Sequence, residues 1–179
     1  MSSASTQPSA MKATVTMRDH SLASVTEDGI LTGIIGAFLV ALWFLIFDFA
    51  RGQPFFTPSL IGSVIFLGVD VEAVTTVDYT MVFAYTGIHG FLFLFAGMIV
   101  AWMFVQFERN PQFGMVLLLL FLLFEFVLFG FEVTIVPNLV GALGAWAVAL
   151  ANLLSAFGMF WFLLRRHPEA WEQLRKAGE

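Results

Sequence analysis

Cysteine is missing from all 179 residues of the chain. That absence removes disulfides, thiolate metal sites and cysteine nucleophiles together, and it says nothing about redox compartment. Charge is nearly as scarce. Only 12% of the residues are Asp, Glu, Lys or Arg, against about 25% in average soluble domains. No basic patch lies on a polar segment, so nucleic-acid binding has no support. Phosphate-binding glycine loops, zinc spacings and nucleophile elbows are likewise not found. The di-iron bundle pattern requires Glu-x-x-His, and neither Glu125 nor Glu132 has a histidine three residues on.

What remains is apolar. Hydrophobic residues make up 59% of the chain, and mean hydropathy is +0.89. These residues come in long blocks, which is the mark of membrane spans. The expected class is all-α, an integral membrane four-helix bundle with one short interfacial helix between spans one and two. Residues 29–165 form the transmembrane domain. Four runs, about 29–50, 79–107, 112–136 and 139–164, are each long enough to cross a core ~30 Å thick. Pro137 stops the third run, and Arg165 and Arg166 stop the fourth.

Outside these runs the chain is polar. Residues 1–28 are rich in Ser, Thr and Ala and lack the basic start and short apolar core of a signal peptide. They read as a retained, disordered tail, with Met11 as an alternative start. Glu27 and Asp28 stand just before span one, where a helix N-terminus favours negative charge. Residues 58–67 are apolar but too short to span. Thr57 suits the cap of a helix there, Pro58 its first position and Gly68 its end. An acidic loop with Asp70, Glu72 and Asp78 follows. Residues 166–179 form a second tail, in which 168–176 has the pattern of a short amphipathic surface helix containing Trp171.

Orientation follows from the loop cations. Seven of the eight Lys and Arg residues fall on one side of the four runs, and only Arg51 falls on the other. That puts both termini and the Arg109 loop in the cytoplasm. The segment 55–78 is then outside the inner membrane. Trp43, Trp102 and Trp161 lie toward span ends and suit interface anchoring. The phenylalanines face lipid and fill packing gaps.

Small residues recur four apart: Gly29, Gly33, Ala37 and Ala41 on span one, Gly97 and Ala101 on span two, Gly141, Ala145 and Ala149 on span four. Such spacing lets helices approach closely in lipid. It serves packing within the bundle or homo-oligomer formation.

The conspicuous anomaly is Glu125, central in an otherwise apolar run. A carboxylate at mid-bilayer costs roughly 2.5–3.5 kcal/mol on insertion scales. Counted along the helices at about 1.5 Å per residue, Glu125 and His89 lie at nearly the same depth, with Asn152 slightly deeper. Glu132 lies two turns outward, level with Tyr85, and Asp48 lies near the outer surface. One reading is a polar cluster of His89, Glu125, Asn152, Tyr85 and Glu132 that fixes helix register. Another is a proton or ion path through His89, Glu125 and Glu132. A third is a haem or quinone beside His89. Bis-histidine haem would need two chains, because His20 and His167 belong to the tails. A metal site is a fourth reading. Asp48 and Arg51, three apart at a helix end, are placed to pair. With Thr57 and Pro58 they form either a helix stop or the rim of an outward-facing site.

Two stretches carry a resemblance. One is Trp43-Phe44-Leu45-Ile46-Phe47-Asp48, with Arg51-Gly52-Gln53-Pro54-Phe55 and Thr57-Pro58. The other is Tyr85-Thr86 with His89, then Glu108-Arg109-Asn110-Pro111. Together they resemble a family of small, uncharacterised bacterial four-span membrane proteins. The resemblance covers spans one and two. It implies an inner-membrane address and the four-span layout, and it carries no catalytic residue. The functional expectation is a non-enzymatic accessory or assembly subunit of a membrane complex. A proton-coupled transporter or channel-like protein is the alternative, and a redox or quinone-linked subunit is a third.

Overall fold

The computed structural model describes residues 22–110, 119, 122, 126 and 137–168. Glu125 and Glu132, with nearly all of the expected span 112–136, lie outside the described residues, as does the expected tail helix around Trp171. The described residues form helices and no strand. Three of the helices are long and apolar enough to cross a membrane: α1 (Leu22–Ala50), α3 (Tyr79–Arg109) and α5 (Ala145–Arg166). Two short helices, α2 (Phe56–Gly62) and α4 (Pro137–Leu143), are also described, and residues 119, 122 and 126 are helical as well.

α1 starts two turns before its apolar run. Residues 22–28, expected in the disordered tail, are helical. Asp28 therefore sits in the second turn, and the helix-terminus role expected for Glu27 and Asp28 is replaced by side-chain pairing. At its other end α1 closes on a Schellman turn. Gln53 N–H donates to the Asp48 carbonyl (3.0 Å) and Gly52 N–H to the Phe49 carbonyl (3.0 Å). Gly52 supplies the left-handed φ of 74° that this turn needs.

α2 continues through a π-helical turn, Ser63–Leu67, and stops at Gly68 with φ 66°. The expected apolar segment and its glycine stop are thus present. The expected cap is not. Phe55, at φ 66°, occupies the cap position, and Thr57 lies inside the helix. Asp78 does cap α3, its Oδ1 accepting from Thr80 N–H at 2.8 Å and Met81 N–H at 3.4 Å.

The fourth apolar run is not one rod. It divides at Gly144 (φ 85°), which separates α4 from α5. Trp43 reaches this bend. Its Nε1–H donates to the Ala147 carbonyl at 3.0 Å, and its ring packs on Phe47 and Trp146. Trp43 is therefore an interhelical tie. Trp102 and Trp161 remain exposed.

α1 packs along both α3 and α5, and those two meet each other chiefly through side chains at the tail end. The buried face of α1 repeats every four residues: Asp28, Thr32, Gly36, Val40, Phe44, Asp48, with Gly29 and Gly33 beside it. Gly29, Gly33 and Gly97 bring the backbones of α1 and α3 into contact. A Cβ on Gly97 would strike Gly29 O and Gly33 N, and one on Gly29 would lie 2.7 Å from Met98 Cα. On α5 the stripe that meets α1 is Ala147, Ala151, Ser155 and Met159. The expected stripe Gly141, Ala145, Ala149 is exposed.

Three apolar clusters mark the length of the bundle. Ala101, Phe104, Leu163 and Leu164 pack at the tail end, where α1 begins and α3 and α5 finish. Val40, Phe44, Ala147 and Ala151 follow along α1 and α5. Leu60, Ile61 and Leu143 join α2 to α4 at the loop end, where α1 finishes and α3 begins. The outward faces are also apolar, with Phe83 76%, Phe91 67% and Leu153 65% exposed. Large apolar patches of this kind are rare on soluble monomers.

Gly97→Leu is expected to lower stability by about 3 kcal/mol or more, through overpacking against backbone that cannot yield. Gly87→Ala, which meets nothing within 4 Å, is expected to stay within about 0.5 kcal/mol of the parent. Thermal unfolding of the purified variants in detergent separates the two.

Candidate functional site

The polar side chains of the described residues gather at three levels. At the loop end, Asp48 is the organising group. It is 2% exposed. Its Oδ2 accepts from Thr57 N–H at 2.7 Å and its Oδ1 from Thr57 Oγ1–H at 2.6 Å. A carboxylate on span one thus satisfies an amide at the start of α2, where the helix dipole favours negative charge. Asp48 and Arg51, expected to pair, interact through their charges but form no close ion pair. The Arg51 guanidinium instead lies 4.0 Å from the centroid of the Phe47 ring. Pro58 falls in the first turn of α2, where its missing N–H costs nothing. Asp78 N–H donates to Ser59 Oγ at 2.8 Å, tying the start of α3 to the same short helix. Asp48 and Thr57 are thus in direct contact, with Arg51 in the turn that ends α1 and Pro58 inside α2.

The middle level holds His89. Its Nε2 lies 3.4 Å from the Ala37 carbonyl on α1, and its Nδ1 lies 3.5 Å from Tyr85 Oη one turn away. A neutral ring protonated on Nε2 fits both contacts, donating to Ala37 O and accepting from Tyr85. Both distances are long for hydrogen bonds, so each is weak. The ring also packs on Phe93, centroids 4.7 Å apart. Asn152, expected beside His89, forms no hydrogen bond to it. His89 meets α1 instead, and α1 packs along both of the helices that carry the two residues. Of the expected mid-bundle cluster, the structure brings together His89 and Tyr85.

The third level, at the tail end, is the densest and was not anticipated. Arg166 donates from Nε to Asp28 Oδ1 at 2.9 Å and from Nη2 to Glu27 Oε1 at 3.0 Å. Its Nη2 also lies 2.8 Å from Asp28 Oδ1. His167 stands between two carboxylates, with Nδ1 2.9 Å from Glu108 Oε2 and Nε2 3.2 Å from Asp28 Oδ2. The side chains of His167, Asp28 and Glu108 are only 3–4% exposed. Three helices meet in this network: α1 gives Glu27 and Asp28, α3 gives Glu108, and α5 leads into Arg166 and His167. Phe104 covers the His167 ring, centroids 5.5 Å apart.

The signal for this network was in the sequence. Glu27-Asp28, Glu108-Arg109 and Arg165-Arg166-His167 all fall on one side of the apolar runs. Reading His167 as a tail residue hid it. Among the described residues, no three His, Asp or Glu side chains are arranged to hold a metal ion. No protein-family model, curated protein or solved structure matches the chain.

Arg166→Gln is expected to lower stability by about 3 kcal/mol, because it takes a guanidinium from a buried carboxylate. Arg165→Gln is the control. Arg165 is exposed and lies over Trp161 at 4.9 Å, and its loss should cost within about 0.5 kcal/mol. Equal melting points for the two variants would show that the buried network does not hold the helix ends.

Proposed function

We propose that the chain is a four-span integral membrane protein of a bacterial inner membrane, with both termini cytoplasmic. We propose further that it works without chemistry of its own, as an accessory or assembly subunit of a membrane complex. The observation that carries this reading is where the described ionisable groups go. Asp48 binds a backbone amide and a hydroxyl of α2. Asp28, Glu108, Arg166 and His167 tie three helix ends to one another. Such placement fixes helices in position and lines no common reaction site.

The apolar outer faces of α1, α3 and α5 support a lipid environment. The cation distribution supports the orientation. Partners in this reading are the bilayer and either a larger membrane complex or further copies of the chain. Co-purification from native membranes tests the role. A stable complex with a larger partner is the expected result, and a lone homo-oligomer overturns it.

Topology has its own test, and the cysteine-free chain suits it. Gln53→Cys in intact spheroplasts should react with an impermeant maleimide. Asn110→Cys should react only after the membrane is opened. The reverse pattern would refute the orientation.

A second reading draws on the His89–Tyr85 pair at mid-bundle, which supplies a polar step in an apolar helix. It is a proton path that continues through Glu125 and Glu132. In liposomes it predicts pH-driven flux that Glu125→Gln abolishes; flux unchanged in that variant removes Glu125 from the path.

A further inference from the structure

We propose that α2 and the π-helical turn after it form a re-entrant hairpin. Its tip, Ile65, Phe66 and Leu67, sits among the acyl chains of the leaflet at the loop end. The direction of α2 carries the argument. Asp78 N–H donates to Ser59 Oγ at 2.8 Å, and a Cβ on Gly62 would strike the carbonyl of Met81. From one contact to the next, each chain segment advances three residues. α2 therefore runs beside the first turns of α3, in the same direction, toward the middle of the bundle. Its start is fixed by Asp48, which binds Thr57. The α1–α3 register pairs Gly29 with Met98, Gly33 with Leu94 and Ala37 with His89. Carried on to the loop end, it sets Asp48 level with Asp78. Asp28 and Asp48 are twenty positions apart on α1, which is about 30 Å at the helical rise and matches the thickness of a hydrocarbon core. The two buried carboxylates thus mark the faces of that core, and α2 descends from one of them.

Depth then accounts for exposure. The first turns of α2 are covered, with Thr57, Ser59, Leu60, Ile61 and Gly62 buried. Beyond them the wider π-helical turn carries three consecutive apolar side chains outward: Ile65 is 52%, Phe66 43% and Leu67 56% exposed. Leu67 lies eight residues past Ser59, on the order of 10 Å deeper. In water that tip would leave three large apolar side chains hydrated, whereas acyl chains cover them without cost. Gly68 ends the turn with φ 66°, and its N–H donates to the Val64 carbonyl at 3.2 Å. The returning limb meets the demand that irregular backbone at membrane depth be packed in protein. Val71 and Val74 pack on the cluster of Leu60, Ile61 and Leu143, and the Ala73 and Val74 amides donate to the carbonyls of Asp70 and Val71 at 3.0 and 3.2 Å. Because Val71 returns to the level of Leu60 and Ile61, the exposed Asp70 and Glu72 regain the headgroup region, and the hairpin stays within one leaflet. The inference rests on the reading that α1, α3 and α5 span a bilayer, and not on an accessory role for the protein.

The full chain in phosphatidylcholine nanodiscs provides the test, with single spin labels at Ile65→Cys, Phe66→Cys and Leu67→Cys. Phe83→Cys is the lipid reference, since Phe83 is exposed on α3 five residues past Asp78. Gln53→Cys, in the turn after α1, is the water reference. Collision with dissolved oxygen, which concentrates in lipid, is measured against collision with a water-soluble nickel chelate. At 65–67 oxygen should dominate, as at Phe83→Cys, and the chelate should dominate at Gln53→Cys. Chelate dominance at 65–67 with oxygen dominance at Phe83→Cys overturns the hairpin and leaves the spanning reading standing. Chelate dominance at Phe83→Cys as well overturns both. Weak collision with both reagents at 65–67 means that protein covers the tip, which also overturns the proposal. If the labelled variants do not fold, the unmodified chain decides. A phosphatidylcholine with a diazirine in its acyl chain should leave photoadducts on residues 65–67. Their absence overturns the proposal, and an adduct on Phe83 shows whether the spanning reading survives it.

Discussion

The contact of Gly29 and Gly33 with Gly97 sets the register from which the other interactions follow. With no side chain in the way, α1 and α3 run antiparallel at backbone contact. That register brings Ala37 to His89 in the middle of the bundle. It also places Asp28 and Glu108 at the same end, close enough to share one imidazole. A one-turn slip would move each helix about 5.4 Å along its neighbour and separate all of these pairs. In lipid, helices gain little from burying apolar surface against one another, so close backbone packing and polar ties decide the arrangement.

Polar ties stand at both ends of the apolar clusters. At the loop end one carboxylate, Asp48, holds α2 against the end of α1. At the tail end Arg166, His167 and three carboxylates join three helices. The two ends differ in kind. The Asp48 tie is local, made between residues nine positions apart. The Asp28–Arg166 tie closes a loop of 138 positions. Unpaired, any of the buried carboxylates would be costly, so the two partners must be ordered together. That requirement makes the tail end a check on correct assembly of the whole described bundle.

Much of this architecture could be read from the residues. The long apolar runs gave α3 nearly to its ends and α1 at its finish but not at its start, and Gly68 gave the stop of the short helix. Gly29, Gly33 and Gly97 were identifiable as packing positions. Other features were hidden for physical reasons. The start of α1 at Leu22 rests partly on Arg166 and His167, which are far away in sequence. Thr57 has the chemistry of a cap, but the Asp48 carboxylate of α1 took both its hydroxyl and its amide. On the fourth run, Ala147-Ala151-Ser155 and Gly141-Ala145-Ala149 have the same spacing, and only the shape of α1 chooses between them. Depth along a helix placed His89 and Asn152 at one level, but depth does not say which neighbour a side chain faces. Of the expected middle cluster, His89 and Tyr85 come together, Asn152 does not bond His89, and Glu125 and Glu132 lie outside the described residues.

The break at Gly144 separates two quantities that are easily confused, the length of an apolar sequence and the thickness it matches. As one straight helix, residues 139–164 would measure about 39 Å, well beyond a hydrocarbon core of ~30 Å, and would have to tilt. α5 alone measures about 33 Å, close to that core with little tilt. The residues set aside form α4, whose Leu143 packs with Leu60 and Ile61 of α2. A single glycine at positive φ thus limits α5 to a length that matches such a core and turns the surplus into cover for the loop end.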